Sequence, residues 1–315
     1  MTKLKRVLVT GATGFLGSHV ARNLIKKGFE VGAIVRGQTN CYRLSDCLDS
    51  ITFYNGNLED KKSVSKAFIE FAPEIVIHCA AYGVDYRQQD IFCLYKVNVA
   101  CTLSLFVNAV NSGVKRFIHA GSCFEYGSKD TPISENDRIE PLGGYGVSKA
   151  AATMFVLQYG RVSELPVVVL RPFGMYGPYE GMHRIVPHLI DSLLKNRRVD
   201  LTMGDQIRDY TYVEDVADAF VKLAAEEKFP AGEVLNVGSG VGISIRQLGT
   251  QIANLLGKTH LLNWGAIPYR LNEPKMLVSN STKIYEMVGW RALTNLISGL
   301  NNTISYYKNI NSEEK

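Results

Sequence analysis

Tyr145 and Lys149 stand four residues apart in the run Tyr-Gly-Val-Ser-Lys, at the head of a segment whose apolar spacing predicts a helix. Positions i and i+4 share a helix face, so the phenol and the ammonium can point into one site. A neighbouring ammonium favours phenolate, and moving a tyrosine from about 10 toward 7 takes roughly 4 kcal/mol of differential interaction. The pair is therefore a candidate proton donor. A Tyr and a Lys meet at this offset by accident in many chains, so the weight rests on what precedes them: Ser122, after the apolar run KRFIHAG, and a glycine-rich turn near the start.

That turn is Gly11-Ala12-Thr13-Gly14-Phe15-Leu16-Gly17, which follows the β-branched run RVLVT and opens into the helical pattern SHVARNLIKK. Glycines at this spacing allow a tight turn and close backbone approach, and a helix N-terminus offers unpaired N–H groups and a positive dipole end. Together they make a cradle for a pyrophosphate, the alternative being a plain strand-to-helix turn. At the end of the second strand pattern, where a carboxylate would bond an adenosine ribose, stands Arg36. A guanidinium suits a 2′-phosphate, so NADP(H) is favoured and NAD stays possible. A solvated strand-end arginine is the bland alternative.

The elements that must position these groups can be read from the rhythm of the chain. Short β-branched runs (RVLVT, FEVGAIV, SITFYN, EIVIHCA, VKRFIHAGS, LPVVVLRPF) alternate with longer amphipathic ones, and the strand runs are apolar almost throughout. This is expected of an α/β fold, a doubly wound, Rossmann-like parallel sheet buried on both faces. After Pro172 the texture changes, so we expect a dinucleotide-binding domain over 1–172 and a smaller substrate-binding lobe over 173–315, with one strand near 233–238 returning to the main sheet. A chain of 315 residues allows about two domains. With 46% hydrophobic and 21% charged residues, disorder of the bulk is excluded. A net charge of +5 is too small and dispersed for a nucleic-acid partner. No apolar run reaches the roughly 18 to 20 residues of a membrane span, and no signal peptide is evident, so a cytoplasmic protein is expected. Six cysteines without a CxxC pair fit reduced thiols and no metal.

With these motifs in place, the chain resembles the extended short-chain dehydrogenases/reductases, in the nucleotide-sugar epimerase, dehydratase and reductase branch, over nearly its whole length. The resemblance implies a cofactor site of Gly11, Gly14, Phe15, Leu16, Gly17, Arg36, Asn57 and Leu58 near adenine, Ala80 and Ala81 after the fourth strand, Asn98, Tyr145, Lys149 and Pro172. It implies catalysis by Ser122, Tyr145 and Lys149: the phenol exchanges a proton with a sugar oxygen, Ser122 hydrogen-bonds that oxygen, and Lys149 holds the nicotinamide ribose. The segment from Arg208 to Val216 is similar to the family's RDFxYVxDV motif, whose arginine pairs with a nucleotide-sugar diphosphate, and Tyr82, Cys123, Arg184 and Arg270 join Arg208 as implied substrate contacts. The bland reading of Arg208 is a surface ion pair with Asp209 or Glu214. Relatives also imply a homodimer built on the helix that carries Tyr145.

Departures from the family pattern narrow the chemistry. A dehydratase of this branch would carry Asp-Glu after its catalytic residue, whereas Cys123 and Phe124 follow Ser122, so dehydration is not expected. Gly174 stands where many members have Asn. Cys123 reads more readily as core material than as an acid or base, and His19, His78 and His119 as packing residues. His183 and His188, with Arg270 and Glu273, are weaker substrate candidates. The leading expectation is an NADPH-dependent reductase acting on the C4 carbonyl of a nucleotide-activated 4-keto-6-deoxy sugar. The alternatives are a 4-epimerase with retained NAD and a silent dinucleotide-binding sensor or scaffold.

Overall fold

The computed structural model describes residues 5–270 and 273–313. Seven strands, β1 (Arg6–Thr10), β2 (Glu30–Val35), β3 (Ile51–Asn55), β4 (Ile75–His78), β5 (Arg116–Ala120), β6 (Val167–Pro172) and, much later, β10 (Val234–Val237), form one sheet in the order β10-β6-β5-β4-β1-β2-β3. Every pairing in it is parallel. The crossovers are α1 (Phe15–Lys26), α2 (Lys61–Phe71), a continuous helix made of α3 (Ile91–Cys93), a π-helical stretch Leu94–Ala100 and α4 (Cys101–Asn111), and α5 (Gly143–Ser163). The order reverses between β1 and β4, and in open parallel sheets ligands bind at the strands' carboxyl ends at such a switch point.

Two apolar layers bury the sheet. Val7, Val9, Val20 and Leu24 pack on one face, and Leu8, Phe68, Leu105 and Phe117 on the other, so neighbouring residues of β1 point to opposite cores. The apolar strands were legible for that reason. The remaining elements are β7 (Gly174–Tyr176), α6 (Ile185–Leu194), β8 (Val199–Leu201), β9 (Ile207–Tyr212), α7 (Val213–Ala225), β11 (Gly242–Ser244), α8 (Ile245–Leu256), β12 (Leu262–Trp264), β13 (Met276–Leu277), α9 (Thr282–Val288) and α10 (Leu296–Glu313). A second core of Leu189, Ile190, Leu248, Ile252, Leu300 and Tyr176 holds much of this later half.

The expected boundary at 172/173 is not clean. Val216, Phe220 and Leu223 of α7 and Ile284 of α9 lie in the first core, because their apolar faces cover the same sheet as α1, while Leu235 and Val237 belong to β10, the strand expected to return. The expectation of no membrane-length segment also needs correcting: helix Ile91–Asn111 is long and apolar enough by length and composition. Its inner face packs Leu94, Leu105, Phe106 and Ala109 into the fold, and it carries the buried polar residues Asn98 and Thr102.

Candidate active site

The glycine turn lies at the carboxyl end of β1. Gly11 has φ +71°, and a Cβ there would sit 2.6 Å from the Ala80 nitrogen; one on Gly17 would sit 2.1 Å from the Gly11 carbonyl. Only glycine lets this turn close against the end of β4. Gly14 is the N-cap of α1 and no side chain caps that end, so the helix's first N–H groups are left for a ligand. A cradle that a Cβ would fill, beneath an uncapped helix, fits a dinucleotide pyrophosphate. Arg36 is exposed just beyond β2, and among the described residues it has no ion-pair partner within 4.0 Å. Leu58 packs at the edge of the second apolar layer, and the Asn57 side chain accepts the Glu59 N–H at 3.2 Å. Pro172 ends β6, where it is buried beside Val237.

Ser122 follows β5 and caps a short 3-10 turn: its hydroxyl oxygen accepts the Phe124 N–H at 3.2 Å, which leaves the hydroxyl hydrogen to donate elsewhere. Tyr145 lies in the first turn of α5, its phenol close enough to Ser122 for that hydroxyl to favour the phenolate, and its ring edge-on to Phe124. The close approach of the two segments depends on Gly146, where a Cβ would stand 2.5 Å from the Phe124 carbonyl oxygen. Lys149 is buried one turn along, its ammonium 3.4 Å from His119 Nε2.

The electrostatics differ from the expected acidified phenol. Burial pushes Tyr145 up to about 12, with the Ser122 hydroxyl working against it. Burial likewise pulls Lys149 down to about 8, and the Glu125 carboxylate opposes that fall. Lys149 thus keeps its charge at neutral pH in a dry setting where a cation acts strongly on any oxygen gaining negative charge.

The helix carrying Tyr145 is tied down by Asn98. Its Nδ2 donates to the Tyr82 carbonyl at 2.8 Å and to Ser148 Oγ at 2.9 Å, and its Oδ1 accepts the Tyr82 N–H at 2.8 Å. Ser148 in turn donates to the Tyr145 carbonyl. Asn98 therefore spends both amide hydrogens on the scaffold and supports the site from behind. Cys123 lies in a small apolar cluster beside the Ser122 turn. It is packed with Tyr126, Ile133, Phe173 and Leu277, and burial pushes its thiol up to about 12.

Of the arginines, Arg208 forms its ion pair with Glu273 at 3.2 Å and donates to the carbonyls of Ile207 and Lys275. Neither Asp209 nor Glu214 is its partner. Asp209 is wholly buried and accepts from Thr211, Ser239, Gly240 and Ser279, which anchors the strand beneath Arg208. Arg184, at the head of α6, is 3.5 Å from Glu180, and its charge acts on both Tyr145 and Cys123. Arg270 stacks over Tyr86 at 4.0 Å, and His183 faces Asp85 at 3.8 Å, so the loop after β4 touches the later half of the chain at two points. His188 is exposed on α6.

The histidines read as packing residues divide. His78 is fully engaged: Thr102 donates to the Asn98 carbonyl, so it accepts from His78 Nε2–H, and Thr10 donates to Nδ1 at 2.6 Å. Burial pulls this imidazole down to about 3. His19 donates to the Pro178 carbonyl at 3.0 Å. His119 instead meets Lys149. Sequence reasoning also missed Glu125, Arg171 and Thr153; the signal available was a lone acid and a lone base inside the apolar runs CFEY and VVVLRP.

A family profile described as the NAD dependent epimerase/dehydratase family matches residues 7–238. UDP-glucose 4-epimerase of Mycolicibacterium smegmatis is 29% identical over 96% of this chain and 99% of its own length. The dTDP-D-glucose 4,6-dehydratase of Homo sapiens is 30% identical, over 96% of this chain and 90% of its own. The solved structure of MoeE5 in complex with UDP-glucose and NAD superposes with a TM-score of 0.86 at 30% identity, covering 97% of this chain and 99% of that one.

Proposed function

Because the chain belongs to the NAD-dependent epimerase/dehydratase family, we propose that it reduces the C4 carbonyl of a nucleotide-activated 4-keto-6-deoxy sugar with NADPH. One observation carries the reading. The site sets the Tyr145 phenol beside Ser122, and the two positions after Ser122, where expulsion of water would need a further acid and base, hold a buried protonated thiol and a phenyl ring. Expelling water needs an additional acid and base, whereas reducing a ketone needs one proton.

In this reading the Gly11 to Gly17 turn and the α1 N-terminus hold the pyrophosphate, and Arg36 takes a 2′-phosphate. When bound, the dinucleotide supplies the reducing equivalent. Ser122 donates to the carbonyl oxygen, Tyr145 protonates that oxygen as it becomes an alkoxide, and the Lys149 ammonium stabilises the charge in transit. Arg208 is held in place by Glu273 and two carbonyls; with Arg184 and Arg270 it faces the substrate diphosphate, a role for which guanidinium forks are suited. Tyr82 lies beside the sugar, its backbone fixed by Asn98.

The likeness to a UDP-glucose 4-epimerase favours a second reading, a 4-epimerase with retained NAD. Epimerisation returns the hydride it removes, while reduction must exchange its dinucleotide with a reducing pool. NADPH oxidation should be followed against a panel of 4-keto-6-deoxy sugar nucleotides, with product configuration read by NMR. Stoichiometric loss of NADPH supports reduction, and isomer exchange without cofactor turnover rejects it.

The assembly that fits this site is a homodimer. Met154, Phe155, Tyr159 and Val162 lie exposed along α5, and Ile91, Phe92, Tyr95 and Val107 along the neighbouring Ile91–Asn111 helix. Two such helices meeting their symmetry mates would bury both faces in a four-helix bundle.

A further inference from the structure

Four contacts converge on the Glu125 carboxylate, which is completely buried. Oε1 accepts the Ser122 N–H at 2.8 Å and the Thr153 hydroxyl at 3.1 Å. Oε2 accepts from Arg171 Nε at 2.9 Å and Nη2 at 2.8 Å, and the guanidinium lies over the Tyr126 ring, 4.4 Å from its centre. Three elements meet at this one group: the 3-10 turn that begins with Ser122, helix α5 one turn past Lys149, and strand β6. A buried carboxylate–guanidinium pair gains little or nothing in stability over an apolar pair of the same volume. What distinguishes it is direction, since an apolar side chain would fill the space and leave all three elements free to shift.

We propose that Glu125 is a positioning residue for the reaction, fixing the Ser122 segment with one lone pair and the helix of Tyr145 and Lys149 with another so that hydroxyl and phenol keep one spacing. The proposal rests on the reading of Ser122, Tyr145 and Lys149 as the reacting set. The same carboxylate is the principal charge holding the Lys149 proton against burial; the other groups facing that ammonium are Cys79 and His78 at the end of β4 and His119 on β5. Glu125 touches no substrate; it acts through its neighbours.

The test uses the full chain with NADPH and its keto-sugar. Glu125→Gln should lower kcat about 100-fold with KM changed less than about twofold, because a displacement near 1 Å costs that much in rate. The alkaline limb of its kcat profile should move to lower pH, as Lys149 loses the charge that favours its protonated form. Adding Arg171→Met removes the stranded cation and should restore Tm without restoring kcat. Recovery of kcat together with Tm would reduce Glu125 to a structural role and overturn the proposal. If Glu125→Gln does not fold, Thr153→Val decides: kcat should fall about tenfold with the alkaline limb unmoved, a smaller loss of the same positioning effect, and an unchanged kcat overturns the proposal. Should Tyr145→Phe keep its rate, the reading of the site and this proposal fall together; should it lose its rate while Glu125→Gln and Thr153→Val keep theirs, only the proposal falls.

Discussion

The Lys149 ammonium reaches His119 Nε2 across 3.4 Å, from helix α5 to strand β5. An ammonium can only donate, so Nε2 is the bare nitrogen of that ring and the proton sits on Nδ1, which among the described residues has no partner. Burial pulls both groups toward their neutral forms. Lys149→Met should therefore raise Tm by a few degrees at pH 7 while abolishing turnover. Below about 8 the lysine is charged in folded and unfolded chains alike and its desolvation cost is full. As pH rises from there to the ordinary lysine range the unfolded chain keeps a proton that the folded chain has lost, and the cost fades. The stability difference from wild type should thus narrow between pH 7 and pH 10 in urea titrations; a widening difference contradicts the assignment.

Tyr145→Phe removes the phenolic proton that the proposed reduction delivers to the alkoxide. Steady-state kinetics should show kcat lower by about 10²- to 10⁴-fold, the usual worth of a positioned general acid, with cofactor affinity nearly unchanged. A sensor or scaffold would lose nothing.

Gly146→Ala places a methyl group 2.5 Å from the Phe124 carbonyl. In an ordinary helix the change would stabilise by up to about 1 kcal/mol. Here it must push α5 away from the Ser122 turn, so both Tm and kcat should fall, and a rise in Tm would show that the two segments do not meet as described.

Arg36→Asp exchanges the group that suits a 2′-phosphate for one that suits a ribose hydroxyl. The KM for NADPH should rise about 10- to 100-fold, the worth of one or two charge-assisted hydrogen bonds, while that for NADH falls or holds. Equal changes for both cofactors would remove Arg36 from the site.

Phe155→Asp puts a charge in the middle of the exposed apolar face of α5, where the Phe155 and Tyr159 rings stack at 6.1 Å. Sedimentation should show a shift from dimer to monomer. A protein that is monomeric before the substitution would exclude the proposed bundle.

The sheet was legible because buried parallel strands are apolar on both faces, and the glycine turn because its chemistry needs glycine at fixed spacing. Tyr145 and Lys149 were legible through helical periodicity. Their protonation was not. Spacing says that two groups are near, but the level to which burial pushes Tyr145 depends on how much water the whole fold removes. Glu125 and Arg171 are 46 residues apart, and nothing local joins an acid in one apolar run to a base in another. Arg208 found Glu273 rather than its sequence neighbours for the same reason: strand β13 pairs with β9 and brings a distant loop alongside.

Strand β10 has a consequence for how the molecule is made. It lies on the outer edge of β6 with Val234 opposite Val169, yet the ribosome completes α6, β8, β9 and α7 before it releases Val234. Throughout that interval the nascent sheet carries an open, apolar edge beside Arg171 and Pro172. Until Val234 emerges that edge stays unpaired, and a chain cut anywhere between β6 and β10 would leave the first fragment with six strands of the sheet and without its seventh.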